Sequence, residues 1–124
     1  MSLDSRLATV VEAARSKKAF RVRLVDVGEI ASFTDTFAFM SGGSDRQNRA
    51  IAEAVEDALK QTGEHPISRE GEKTGNWVLL DYGNLVVHVM DEETRRHYNL
   101  EGLWSAGRDL ELPPEEHPES EPTP

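Results

Sequence analysis

Ser41-Gly42-Gly43-Ser44 lies between an apolar strand pattern and an amphipathic helix pattern. Backbone N–H groups at a helix start, with glycines that permit close approach, can cradle a phosphate. The stretch lacks the Lys of a P-loop and the spacing of a dinucleotide fingerprint. Nucleotidyl transfer from such a turn also needs paired carboxylates on a neighbouring strand, to hold Mg²⁺ between phosphate oxygens. Here the residues after Ser44 enter a helix, and Asp81 is a lone acid on a much later strand. A plain strand-to-helix connection is the simpler reading. His65, His88, His97 and His117 do not pair at metal-ligand spacing on one element, and no Ser/His/Asp arrangement emerges from spacing. The absence of Cys excludes disulfides, thiolate metal sites and a cysteine nucleophile. The residues therefore point to a binder with no cofactor and no metal.

Contact chemistry is better represented. Arg69-Glu70-Gly71 could anchor a contact or be a solvated loop edge. Asp81 sits where it would cap the Gly83-Asn84 turn. Trp77 and Trp104 read as core before ligand platform. Tyr82 and Tyr98 carry polar handles that suit an interface equally well.

These residues need a scaffold. The 124 residues allow one domain, expected over 1–110. The chain carries 14 Lys+Arg against 23 Asp+Glu, a formal net charge of −9. Glu111, Glu115, Glu116, Glu119 and Glu121 fall in the last stretch with most of the prolines. Residues 111–124 are accordingly expected to be a disordered, acidic, Pro-rich tail. The acidic balance argues against a dedicated nucleic-acid site and favours meeting a basic protein surface. No apolar run spans a bilayer and no secretory leader pattern is seen, so cytoplasm is expected.

Leu3, Leu7, Val10, Val11 and Ala14 form one face of a helix over 4–17. Arg21–Asp26 alternates as a half-buried strand, and Phe33–Met40 reads as a second. Ser44 with Gln47 fits a capping box, and Ala50, Ile51, Ala54, Val55, Ala58 and Leu59 continue the helix until Gly63. His65–Arg69 reads as a short edge strand. Trp77–Tyr82 and Leu85–Met90 flank a Gly83-Asn84 hairpin turn. Asp91 caps a further helix, and Leu100, Leu103 and Trp104 follow in a short segment. The order predicts an α/β (α+β) domain: a mixed sheet of about five strands with helices mainly on one face.

The hairpin strands are apolar on both faces. Trp77 and Leu79 oppose Val78, Leu80 and Tyr82; Leu85, Val87 and Val89 oppose Val86, His88 and Met90. Either one face lacks cover from its own chain and marks a partner or dimer contact, or the N-terminal helix or the 98–104 segment covers it.

The sequence resembles the Iojap-type ribosomal silencing factors. The resemblance rests on Leu24–Val27, Phe37–Gln47, Ala50–Ala52, Glu70-Gly71, Trp77–Gly83, Val86–Met90 and Glu93–Trp104, in the family's order. Trp77–Trp104 is the specific block. This chain has Asn84 where the family usually has an acid.

The resemblance implies a nucleotidyltransferase-like fold without the metal carboxylates, and a protein that is not an enzyme. It implies binding to the large ribosomal subunit through the ribosomal protein numbered fourteen, where the small subunit docks. Subunit joining would be blocked sterically and translation repressed when nutrients are scarce. The expected contact residues are Trp77, Leu79, Tyr82, Leu85, His88 and Met90, with Glu70 and Asp81 facing basic groups. Strict alternation prevents all of them from sharing one face. The alternative is a nucleotide-binding protein or relic using Ser41–Ser44. A homodimer hiding the same hairpin in the free state is compatible with the first reading.

Overall fold

A computed structural model describes residues 4–114; Leu3, His117 and the remainder of the expected tail lie outside the described residues. The elements are α1 (Ser5–Ser16), β1 (Phe20–Asp26), β2 (Thr36–Ser41), α2 (Asp45–Lys60), β3 (Ser68–Glu70), β4 (Trp77–Asp81), β5 (Leu85–Met90), α3 (Glu92–Tyr98), α4 (Leu100–Leu103) and β6 (Arg108–Leu110).

Local chemistry sets the helix starts. Asp4 accepts the Arg6 N–H at 2.7 Å, Ser44 accepts that of Gln47 at 3.0 Å, and Asp91 accepts that of Thr94 at 2.7 Å. Asn99, in the left-handed region at φ +47°, ends α3 and accepts the Gly102 N–H to start α4. Gly83 takes φ +89° as the first central residue of a two-residue hairpin turn closed by Tyr82 N–H donating to the Leu85 carbonyl.

The strands form one sheet in the order β3-β4-β5-β2-β1-β6. Only β2 and β5 run parallel, joined through α2 and the β3–β4 pair. The sheet has six strands where about five were expected. The additional one, β6, pairs with β1 through Leu24 opposite Leu110. Its sequence, Arg108-Asp109-Leu110, is too short and polar to show a strand pattern. Residues 111–114, at the start of the expected tail, are described: Leu112 packs half-buried on the core, and Arg15 donates to the Pro113 carbonyl at 2.6 Å.

α1 and α2 lie on one face. Leu7, Val10, Val11, Ile51, Val55 and Leu59 meet Leu24, Ala38, Met40, Val78, Leu80, Leu85 and Val87 there. On the other face Val25, Val27, Phe37, Phe39, Val86 and Met90 form a second core beneath Leu100 and Trp104. The longer helices thus share one face, and the 98–104 segment covers much of the other. A hairpin bare along its length is not what the chain builds. Leu100 and Trp104 supply that cover, as the second of the two readings had it.

Candidate functional site

Strand register decides which expected contact residues can act together. β4 and β5 pair Trp77 with Met90, Leu79 with His88 and Asp81 with Val86; β3 sets Glu70 opposite Leu79. Directly opposed residues point to one side, so Glu70, Trp77, Leu79, Asp81, His88 and Met90 share the face away from α1 and α2. Tyr82 and Leu85 point the other way, into the helix-side core, and both are buried. They cannot belong to the same surface. On the shared face Met90, in the second core, and His88, against Phe37, Phe39 and Trp77, are buried at 1% and 4% exposure. In this fold Tyr82, Leu85, His88 and Met90 are buried and offer little surface to a partner. Tyr82 and Leu85 belong to the helix-side core and Met90 to the second core.

What stays accessible is a strip at the sheet's β3–β4 side. Glu70 is exposed, and Trp77, Leu79 and Asp81 are half-buried. Asp81 also accepts the Gly83 N–H at 2.8 Å, the turn cap its position implied. Tyr98, 55% exposed at the end of α3, lies against Trp77 with ring centroids 5.0 Å apart. Sequence spacing carried no sign of that contact, because it joins a strand to a helix beyond the next strand.

Behind the strip, Trp77 Nε1 donates to His88 Nδ1 at 3.1 Å. The imidazole stacks on Phe39 at 5.2 Å and meets Phe37 edge-on at 5.3 Å. Burial pushes its pKa down to about 4, so the ring is neutral at pH 7. With Nδ1 accepting, the proton sits on Nε2, which is buried without a protein partner among the described residues. The aromatic row continues from Phe37 to Trp104 and from Trp104 to Phe33, which is 61% exposed.

Ion pairs fasten the cap. Arg95 donates to Glu101 at 2.7 and 3.0 Å and to Ser41 Oγ at 2.9 Å. Arg23 bridges Glu101 and Asp109 at 3.1 and 2.7 Å. Hydrogen bonding from Arg95 holds the Glu101 carboxyl below its usual range.

The glycine turn is occupied by its own chain. Asn48 Oδ1 accepts the Gly42 N–H at 2.8 Å and Gln47 Oε1 accepts that of Gly43 at 2.7 Å. Asn48 is fully buried and donates to the Gly75 carbonyl at 2.9 Å. Neither glycine N–H is free for a phosphate. Among the described residues no three His, Asp or Glu side chains converge as a metal site. A cleft between α2 and the β3–β4 pair is lined by Arg49, Glu53, Glu56 and Arg69. Arg69 and Glu56 pair across it at 2.8 Å, so it reads as a solvated seam.

A small acidic domain thus presents an apolar strip with acids beside it. The profile of the family described as ribosomal silencing factor during starvation (RsfS) matches residues 1–124. This chain belongs to the ribosomal silencing factor family. The ribosomal silencing factor of Halalkalibacterium halodurans is 35% identical over 112 residues, covering 90% of this chain and 96% of that one. The Bacillus subtilis protein of the same name is 36% identical, covering 84% and 88%. A crystal structure of a Chromobacterium violaceum protein superposes with a TM-score of 0.80 at 30% identity, covering 93% of this chain and 95% of its own. The match over residues 1–124 includes the residues of the strip.

Proposed function

We propose that this silencing factor binds the large ribosomal subunit through the ribosomal protein numbered fourteen, at the face where the small subunit docks. Occupying that face blocks subunit joining and represses translation under nutrient limitation, in the cytoplasm. The action is steric and needs no covalent step. Withdrawing free large subunits shifts the joining equilibrium by mass action.

The observation that carries this reading is the strip of Trp77 and Leu79 flanked by Glu70 and Asp81, with Tyr98 exposed beside it. Half-buried aromatic residues supply desolvated area at low entropy cost, and the flanking acids select a basic partner surface. The nucleotide-binding alternative loses ground because Asn48 and Gln47 take the glycine N–H groups. Self-association of the free protein through the strip would compete with ribosome binding, and light scattering across protein concentrations, with and without large subunits, tests that competition.

Co-sedimentation with purified large subunits tests the main reading. Wild type should travel with them and reduce subunit joining, and Trp77→Ala should weaken binding by about 30-fold, the scale of an anchor residue. Unaltered binding by a folded Trp77→Ala protein would place the docking surface elsewhere.

A further inference from the structure

We propose that His88 is the positioning residue for Trp77: by accepting the indole N–H on Nδ1, it fixes the ring so that the partner meets hydrocarbon and not a free donor. This deepens the docking reading above and rests on it.

The geometry has three parts. First, the hydrogen bond runs from the half-buried Trp77 to the buried His88 at 3.1 Å, so the polar edge of the indole turns back into its own chain. Second, the acceptor is itself immobile. Phe39 stacks on the imidazole with planes 19° apart, and Phe37 meets it edge-on. Both come from β2, the next strand in the sheet, so rotating His88 would require repacking that strand. Third, Tyr98 closes on Trp77 at 5.0 Å, so the indole is held by both His88 and Tyr98.

Two consequences follow for recognition. An indole confined to one rotamer has already lost the freedom that a loose surface Trp loses on binding, a cost of about three- to tenfold in affinity for one side chain. By the same geometry, the partner group opposite Trp77 has no N–H to accept. It must be apolar or a cation over the ring face, and an acceptor placed there would be desolvated without compensation. A cation also suits the acids at Glu70 and Asp81 on the same face.

The test uses the full chain and purified large subunits. In ¹⁵N-labelled wild type, a nitrogen–nitrogen coupling should appear across the hydrogen bond between Trp77 Nε1 and His88 Nδ1, with the indole signal assigned by its loss in Trp77→Phe. In binding, His88→Leu removes the acceptor and should weaken affinity about three- to tenfold, the scale of one ordered side chain. His88→Asn keeps an acceptor, Oδ1, one bond from Cγ and should stay near wild type. In the Trp77→Phe background, His88→Leu should cost nothing further. Absence of the coupling in wild type overturns the proposal, as does wild-type affinity in a folded His88→Leu protein. If His88→Leu does not fold, the coupling and the His88→Asn affinity decide, a loss as large as that of Trp77→Phe in the Asn variant counting against it. Failure of wild type to bind large subunits removes the docking reading and the positioning role together. Binding that is indifferent to the acceptor removes the positioning role alone.

Discussion

Arg95, almost wholly buried, donates through Nε and Nη2 to the two carboxylate oxygens of Glu101, tying α3 to α4. Replacing Glu101 by Ala leaves a buried guanidinium with only Ser41 as side-chain partner among the described residues. We expect a loss of about 3 kcal/mol, the lower end for breaking a buried pair because Glu101 retains some solvent contact. Denaturant midpoints check the magnitude. Amide exchange should quicken first in α3–α4 and leave α1 and α2 protected, since the two cores lie on opposite faces.

His88 predicts a specific pH dependence. Its folded pKa, about 4, lies below the ordinary 6.5 because burial disfavours the charged ring. The unfolded chain therefore binds the proton more readily. Stability is fully present above pH 6.5 and falls as pH drops toward 4, by roughly 3 kcal/mol in all. Asp26, Asp109 and Glu101, whose pKa values are also lowered, lose their contributions below the carboxylate range. Comparing His88→Asn with wild type between pH 6.5 and 5 isolates the histidine, and the variant should show the flatter slope.

Register separates contact residues from core residues of similar chemistry. Leu79→Ala should weaken large-subunit binding while costing little stability, since Leu79 is half-buried on the open strip. Leu85→Ala and Met90→Ala should each cost about 2–5 kcal/mol of stability, and the fraction still folded should bind normally. Paired denaturation and binding titrations distinguish the two patterns.

Asn48 predicts the fate of the glycine turn. Asn48→Ala orphans the Gly42 N–H and the Gly75 carbonyl and should cost about 2–4 kcal/mol. Nucleoside triphosphate with Mg²⁺ should not raise the thermal midpoint of wild type, because the glycine N–H groups are taken. A concentration-dependent rise would revive the nucleotide reading.

How much of this was legible beforehand depends on range. The capping box at Ser44 and the stripe through Ile51, Val55 and Leu59 are local signals, and the helix begins and packs as they dictate. The Gly83-Asn84 turn likewise sets the hairpin register, from which the shared face of Trp77, Leu79 and His88 follows. Burial was legible only as one of two alternatives. The apolar pattern left open whether a partner or the 98–104 segment covers Val86 and Met90, and Leu100 and Trp104 pack on that second core. That cap depends on Arg95 reaching Ser41 across 54 residues of sequence, a contact no local period encodes. β6 escaped notice for the same reason: three residues become a strand only because β1 offers an edge. The accessible strip is consequently smaller than the apolar hairpin from which it was inferred.

We propose that the strip of Glu70, Trp77, Leu79 and Asp81 excludes the small subunit by occupying the large one. Light scattering of subunit joining, with the protein pre-bound to large subunits, measures this directly. Wild type should reduce the yield of joined ribosomes in proportion to occupancy, and Leu79→Glu should restore joining while remaining folded. Undiminished joining at saturating wild-type protein, or full inhibition by Leu79→Glu, would contradict the account.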